Sequence, residues 1–195
     1  MDGGAIDRAL TRIAREIGAR HPDRGALALV GIRTRGVPLA ERLARLIGRK
    51  ETERPPVGSL DITLYRDDLT AIGPQAVLRE TRLPFPVDGK AIVLVDDVLY
   101  TGRTIRAALD GLIDFGRPRC IELAVLVDRG HRELPIAATY VGREATTRTD
   151  EQVAVHLREV DGRDEVLIER RTEVRVATSS PGGKRAARGG EKGRG

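Results

Sequence analysis

The chain has 195 residues, 40% of them apolar and 32% charged, enough for one domain with a sizeable core. One cysteine, and three histidines (His21, His131, His156) without metal-ligand spacing, exclude a disulfide scaffold, a cysteine-built zinc site and a histidine cage. The net charge of +5 comes from residues 171–195, which hold seven basic and two acidic residues and leave 27 of each sign in residues 1–170.

Taken in chain order, Ile6, Leu10, Ile13 and Ile17 make one apolar stripe and predict an amphipathic helix over residues 6–20. Leu27-Ala-Leu-Val-Gly-Ile is a short continuous apolar run, as in a buried parallel strand. Pro38 to Gly48 reads as a helix with proline in its first turn and glycine near its end. Residues 57–66 alternate apolar and polar, the pattern of a half-buried strand. Residues 67–88 are punctuated by proline and glycine and are expected to form a long mobile loop. Ala91-Ile-Val-Leu-Val predicts the most buried strand, Arg103–Phe115 a helix and residues 121–127 the next strand. Short strands near residues 138–141, 153–157 and 166–168 complete the core. Alternation of strands with helices implies an α/β fold with a mostly parallel sheet. Residues 171–195, rich in Gly, Ser and Arg, are expected to be a disordered basic tail. Aromatics make up only 3% and Trp is absent, which argues against stacking platforms for single-stranded nucleic acid. No apolar run reaches the roughly 20 residues of a membrane span. The N-terminus lacks a signal peptide's apolar region, so a cytoplasmic, reduced protein is expected.

Chemistry concentrates in Ile92-Val-Leu-Val-Asp-Asp-Val-Leu-Tyr-Thr-Gly-Arg-Thr104. A buried strand delivers Asp96 and Asp97 at its carboxyl end, where open α/β sheets bind ligands. Thr101, Gly102, Arg103 and Thr104 then open a helix, whose free amides, hydroxyls and close-approach glycine suit an anion. Acids beside a phosphate cradle fit a ligand bearing both hydroxyls and phosphates, such as a ribose phosphate. The same run also reads as a strand–turn–helix whose acids cap the helix and whose threonines form the turn. Its strand-then-helix setting favours the ligand reading.

This run resembles the phosphoribosyl-pyrophosphate (PRPP) motif of type I phosphoribosyltransferases. Together with Val30-Gly-Ile-Arg-Thr-Arg-Gly36, Asp61-Ile-Thr-Leu-Tyr-Arg-Asp-Asp68 and Leu126-Val-Asp-Arg-Gly-His-Arg-Glu-Leu-Pro135, it is similar to the PyrR family. That family joins uracil phosphoribosyltransferase activity to attenuation of pyrimidine operons. The resemblance covers about residues 6–170 and implies a type I phosphoribosyltransferase fold over residues 1–170, with a small hood and a mobile loop. Tyr100 departs from the smaller residue common in the wider superfamily but matches PyrR.

Carried over residue by residue, the resemblance implies roles. Thr34, Arg35 and Gly36 form a pyrophosphate loop, where amides and a guanidinium meet the leaving diphosphate. Arg66, at the base of the mobile loop, closes on the pyrophosphate and excludes water. Asp96 and Asp97 hold the ribose hydroxyls and, through water, the Mg²⁺ that PRPP carries, with Asp97 the candidate for an additional base role. Val98, Leu99 and Tyr100 belong to the substrate-binding run, and Thr101, Gly102, Arg103 and Thr104 take the 5′-phosphate. Val127, Asp128 and Arg129 form the hood over the base, their backbone reading the uracil edge. The implied partners are PRPP, uracil, UMP and a messenger leader hairpin, and the implied assembly is a homodimer or homotetramer.

The RNA face implied by the resemblance contains Thr11, Arg12, His131 and Arg132. Arg15 and Arg8 group with Thr11 and Arg12 on the polar face of the first helix. Because the body is neutral, only local clustering can supply phosphate contacts there. Two other readings stay open: an RNA-binding regulator with vestigial catalysis, and a phosphoribosyltransferase for another base. Purine enzymes usually place a lysine in the hood, where this chain has Asp128-Arg129-Gly130.

Overall fold

A computed structural model of the protein describes residues 1–62 and 81–170. Arg66, the tail 171–195, the end of the expected strand 57–66 and positions 67–80 of the expected loop lie outside the described residues.

The first helix, α1 (Gly3–Arg20), begins earlier than its apolar stripe suggests because Asp2 caps it. The Ala5 amide donates to Asp2 Oδ1 at 2.7 Å, satisfying one of the orphan donors of the first turn. Ile6, Leu10, Ile13 and Ile17 are all buried, so the stripe faces the core as its spacing requires. Strand β1 (Leu27–Ile32) leads into α2 (Gly36–Ile47), then β2 (Val57–Leu60), β3 (Ala91–Leu99) and α3 (Arg103–Ile113), followed by β4 (Cys120–Asp128) and β5 (Tyr140–Glu144). These five strands form one parallel sheet in the order β2-β1-β3-β4-β5.

Both faces of that sheet are covered, which explains the unbroken apolar run of β1. Leu27 and Leu29 pack with α1 and α2, while Ala28, Val30 and Ile32 pack with α3. Only glycine fits at two crossings of strand and loop. A Cβ on Gly31 would lie 2.4 Å from Val37 Cα, and one on Gly36 would lie 2.2 Å from the Val95 carbonyl oxygen. The second contact presses the loop after β1 directly against β3.

The last two strands do not extend the sheet. β6 (Glu151–His156) and β7 (Glu165–Arg170) form a separate antiparallel pair joined through the short helix α4 (Arg158–Asp161), a small hood above the sheet. Val155, Leu157 and Val166 anchor the hood in the core shared with α1 and α2. A buried polar knot ties α1 to the sheet. Glu122 on β4 accepts from the Tyr140 hydroxyl at 2.6 Å, lies 2.8 Å from His21 Nε2 and pairs with Arg20 at 2.8 Å.

Residues 81–88, expected to belong to the loop, are packed where they rejoin the body. Arg82 and Ser59 exchange two backbone hydrogen bonds of 2.8 Å, Val87 is buried, and the Arg117 amide donates to Asp88 Oδ1 at 2.7 Å. The alternation Leu83, Phe85, Val87 was masked in the sequence by its interleaved prolines.

Candidate active site

A cleft of about 920 Å³ opens at the carboxyl ends of β1 and β3, under the hood. It is lined by Thr34 and Arg35 from the loop after β1, Asp96, Asp97 and Val98 from β3, and Thr104 from α3. Three segments far apart in the chain thus converge where parallel sheets place ligands. Arg33, Asp61, Glu159 and Val160 also line the cleft, and sequence reasoning had not singled them out.

The acid pair is held by its own backbone. β3 stops pairing with β1 at Val95, so the next amides turn to side chains: Asp97 N donates to Asp96 Oδ1 at 3.0 Å, and Val98 N donates to Asp97 Oδ1 at 2.9 Å. Asp96 is 7% exposed and Asp97 is half-buried. Burial pushes the Asp96 carboxyl well above the usual carboxylate range, and the adjacent Asp97 charge adds to that push. Burial raises Asp97 as well, opposed by the Val98 amide and by the charge of Arg35. Two oxygen donors of this kind suit a hard cation that keeps waters and substrate phosphates as its remaining ligands. Among the described residues no group of three or more His, Cys, Asp or Glu forms a metal cage.

Arg35 is turned toward the hood. Its Nη2 lies 2.8 Å from Asp161 Oδ1 and its Nε 3.2 Å from Asp161 Oδ2, a bidentate fork onto α4. That hydrogen-bonded carboxylate raises the Arg35 pKa. In return Arg35, followed by the Leu157 amide, holds Asp161 down at about 2. Nothing in the sequence pointed to Asp161, which sits in a charge-rich turn ending at Gly162 that reads as a solvated loop.

Beyond the cleft, several predicted residues act through backbone or structure. Leu99 and Val127 are each 1% exposed and pack into the core. Gly102 takes φ +92° at the start of α3, a conformation that favours glycine. The Thr101 carbonyl accepts from the Glu133 and Leu134 amides at 3.0 and 3.1 Å, and Arg103 Nε pairs with Glu133 at 2.6 Å.

Arg129 is a buried brace. Its guanidinium lies 4.1 Å above the Tyr100 ring and donates to the Thr147 hydroxyl at 3.2 Å and the Glu151 carbonyl at 2.6 Å. Its side chain therefore fastens the hood to the loop after β3. Asp128 accepts from the Gly130 amide at 2.9 Å and pairs with Arg132.

Of the residues expected on an RNA face, Arg12 of α1 meets β5 and His131 meets the segment that follows it. Arg12 donates to the Val141 and Gly142 carbonyls at 2.8 Å each and to Glu16 at 3.0 Å, while Thr11 donates to the Asp7 carbonyl. Arg15 is exposed on the same helix. His131, at φ +58°, lies 2.7 Å from the Thr147 carbonyl. Arg132 donates to the carbonyls of Tyr100, Gly130 and Ile136 as well as to Asp128, so much of its donor set is spent inside its own loop. The strand β5 and its outgoing segment connect the two groups.

Comparison with known proteins agrees with this geometry. The phosphoribosyl transferase domain family matches residues 2–158. The chain is 60% identical over 168 residues to the bifunctional protein PyrR of Pelotomaculum thermopropionicum, covering 86% of this chain and 93% of that one. It is 63% identical over 168 residues to the Thermus aquaticus protein of the same name, again covering 86% and 93%. In fold it is similar to the hypoxanthine phosphoribosyltransferase of Trypanosoma cruzi, with a TM-score of 0.66, 15% identity, and coverage of 87% of this chain and 94% of that one. No described helix is long and apolar enough to cross a membrane. With its acid pair, its loop after β1 and its hood arranged around one cleft, the chain belongs to the PyrR family of type I phosphoribosyltransferases.

Proposed function

We propose that this protein transfers the phosphoribosyl group of PRPP to uracil, forming UMP and pyrophosphate, and that it regulates pyrimidine-biosynthesis genes by UMP-dependent binding to their messenger leader. The observation that carries the enzymatic half is the convergence of Asp96, Asp97, Thr34, Arg35 and Thr104 on one cleft. In this reading a uracil nitrogen forms a bond to the anomeric carbon as the bond to pyrophosphate breaks, with inversion and an oxocarbenium-like transition state. No protein nucleophile is required. Asp96 and Asp97 orient the ribose hydroxyls and place negative charge beside the positive sugar, and the start of α3 takes the 5′-phosphate. Asp97 is the candidate acceptor for the uracil proton, and its raised pKa makes it a better base than an ordinary aspartate. Mg²⁺, held by Asp96 and Asp97 through water, would neutralise charge on the diphosphate leaving group.

The test is transfer from PRPP and Mg²⁺ to radiolabelled uracil, hypoxanthine and orotate. Uracil is expected to be the preferred acceptor. Preference for either other base would overturn the substrate, and no transfer at all would leave a regulator with vestigial catalysis.

The regulatory half is supported by the exposed face of α1 that carries Thr11, Arg12 and Arg15, with Arg12 reaching the β5 carbonyls of Val141 and Gly142. A chain ending at Arg170 is expected to bind its own operon's leader hairpin more tightly with UMP than without. Thr11→Ala/Arg12→Gln should weaken that binding while uracil transfer persists. Binding no better than to a scrambled RNA at equal salt would sink the regulatory half. We further propose a cytoplasmic homodimer or homotetramer, which light scattering on the intact protein checks.

A further inference from the structure

The loop after β1 is gripped from two sides. Below, Gly36 is pressed onto the Val95 carbonyl so closely that no Cβ fits. Above, Arg35 reaches the hood, where both oxygens of Asp161 take its Nε–Nη2 edge at 3.2 and 2.8 Å. Asp161 is itself fixed: the Leu157 amide donates to Oδ2 at 2.9 Å, and His156 Nδ1 lies 3.7 Å from Oδ1. Its side chain is 18% exposed and that of Arg35 is 33% exposed, so the fork is partly shielded from solvent. The Arg35 side chain is thus a tether between loop and hood, and the amides of Gly36 and Val37 at the start of α2 are left as the loop's anion donors.

We infer that Asp161 is a positioning residue for phosphoribosyl transfer, bracing the pyrophosphate loop through Arg35 so that its amides are aimed at the diphosphate. The inference rests on the proposed reading of the cleft. It assigns the hood a task on the diphosphate side, in addition to covering the base. A second arginine staple gives the natural control. Arg42 also ties α2 to the hood, pairing with Glu159 at 2.5 Å and Asp164 at 2.6 Å, but it lies seven residues from Arg35 and does not line the cleft.

The experiment uses the full chain with Mg²⁺: calorimetric titration with pyrophosphate, steady-state kinetics and thermal melting. Asp161→Ala is expected to weaken pyrophosphate binding and raise KM for PRPP about tenfold, with kcat and KM for uracil within about twofold. Asp161→Asn, which keeps an acceptor for the Leu157 amide, should show the same split and serves if the alanine variant folds poorly. Arg35→Ala/Asp161→Ala should be no worse than Arg35→Ala alone, because both changes remove one brace. Arg42→Ala should lower the melting temperature and leave pyrophosphate affinity within about twofold. Wild-type pyrophosphate affinity in both Asp161 variants, or multiplicative losses in the double variant, would overturn the inference. Failure of the wild type itself to bind PRPP and pyrophosphate would instead sink the reading of the cleft.

Discussion

Two sets of carboxylates, one in the cleft and one in the hood beside it, are treated in opposite ways. On β3, buried Asp96 and half-buried Asp97 lie side by side, accept from the Asp97 and Val98 amides, and have their proton affinity raised by burial. On and beside α4, Glu159, Asp161 and Asp164 each meet an arginine and have their proton affinity lowered. Charge compensated within the protein stabilises the scaffold. Charge left without a protein cation directly on it is an unfavourable arrangement for folding, and such strain concentrates where a ligand supplies the missing partner.

The largest expected effect separates the two sets by chemistry. Asp97→Asn should lower turnover of uracil transfer by about a hundredfold or more while the melting temperature stays near that of wild type. That follows because the variant removes a charge and leaves the packing of β3 in place. Turnover above a tenth of wild type would take Asp97 out of the reaction.

Next in size is the scaffold side. Arg42 is 12% exposed and answers two carboxylates, so Arg42→Ala leaves Glu159 without its cation and Asp164 with the longer 3.5 Å pair to Arg158. A loss of about 2 kcal/mol is expected, a fall of about 4–8 °C in melting temperature for a domain of this size. Glu159→Gln should cost much less, below about 1 kcal/mol, since Glu159 is 38% exposed and Asp164 remains on Arg42. Equal losses in the two variants would show that the staple is not shared as the geometry indicates.

The smallest effect is a pH dependence with a defined sign. The paired acids have folded pKa values below their unfolded values near 4, and Asp161 sits at about 2. Their contribution is therefore fully present above pH 4 and is lost as pH falls from about 4 toward 2. Urea midpoints measured across that window should decline, and Arg35→Ala should flatten the part due to Asp161. An identical decline in that variant would separate Asp161 from Arg35.

The cleft's β3 side was legible in the sequence because it is contiguous. A buried strand, an acid pair and a helix start follow one another within thirteen residues, and local backbone geometry carries them to one place. The core was legible for a related reason, since β1 and β3 are unbroken apolar runs and α1 has a clear stripe. The hood was harder. Residues 153–157 and 166–168 read as strands, but whether they joined the parallel sheet or paired with each other depended on which apolar faces remained uncovered. The place of the Arg129 side chain was not legible either: its guanidinium is packed on Tyr100 and bound to the Glu151 carbonyl, a contact set only when the layers pack.

By itself the sequence determined the order of elements, the two-sided burial of the parallel strands and the chemistry delivered at the end of β3, because each is set by residues within a dozen positions of one another. Only the tertiary structure decided where the long cationic side chains go. Arg35 meets Asp161 across 126 positions, Arg42 meets Glu159 across 117, and Arg12 lies on the Val141 carbonyl across 129. An arginine's reach and its five donors suit any nearby carboxylate or carbonyl equally well, so its partner is chosen by how the layers pack.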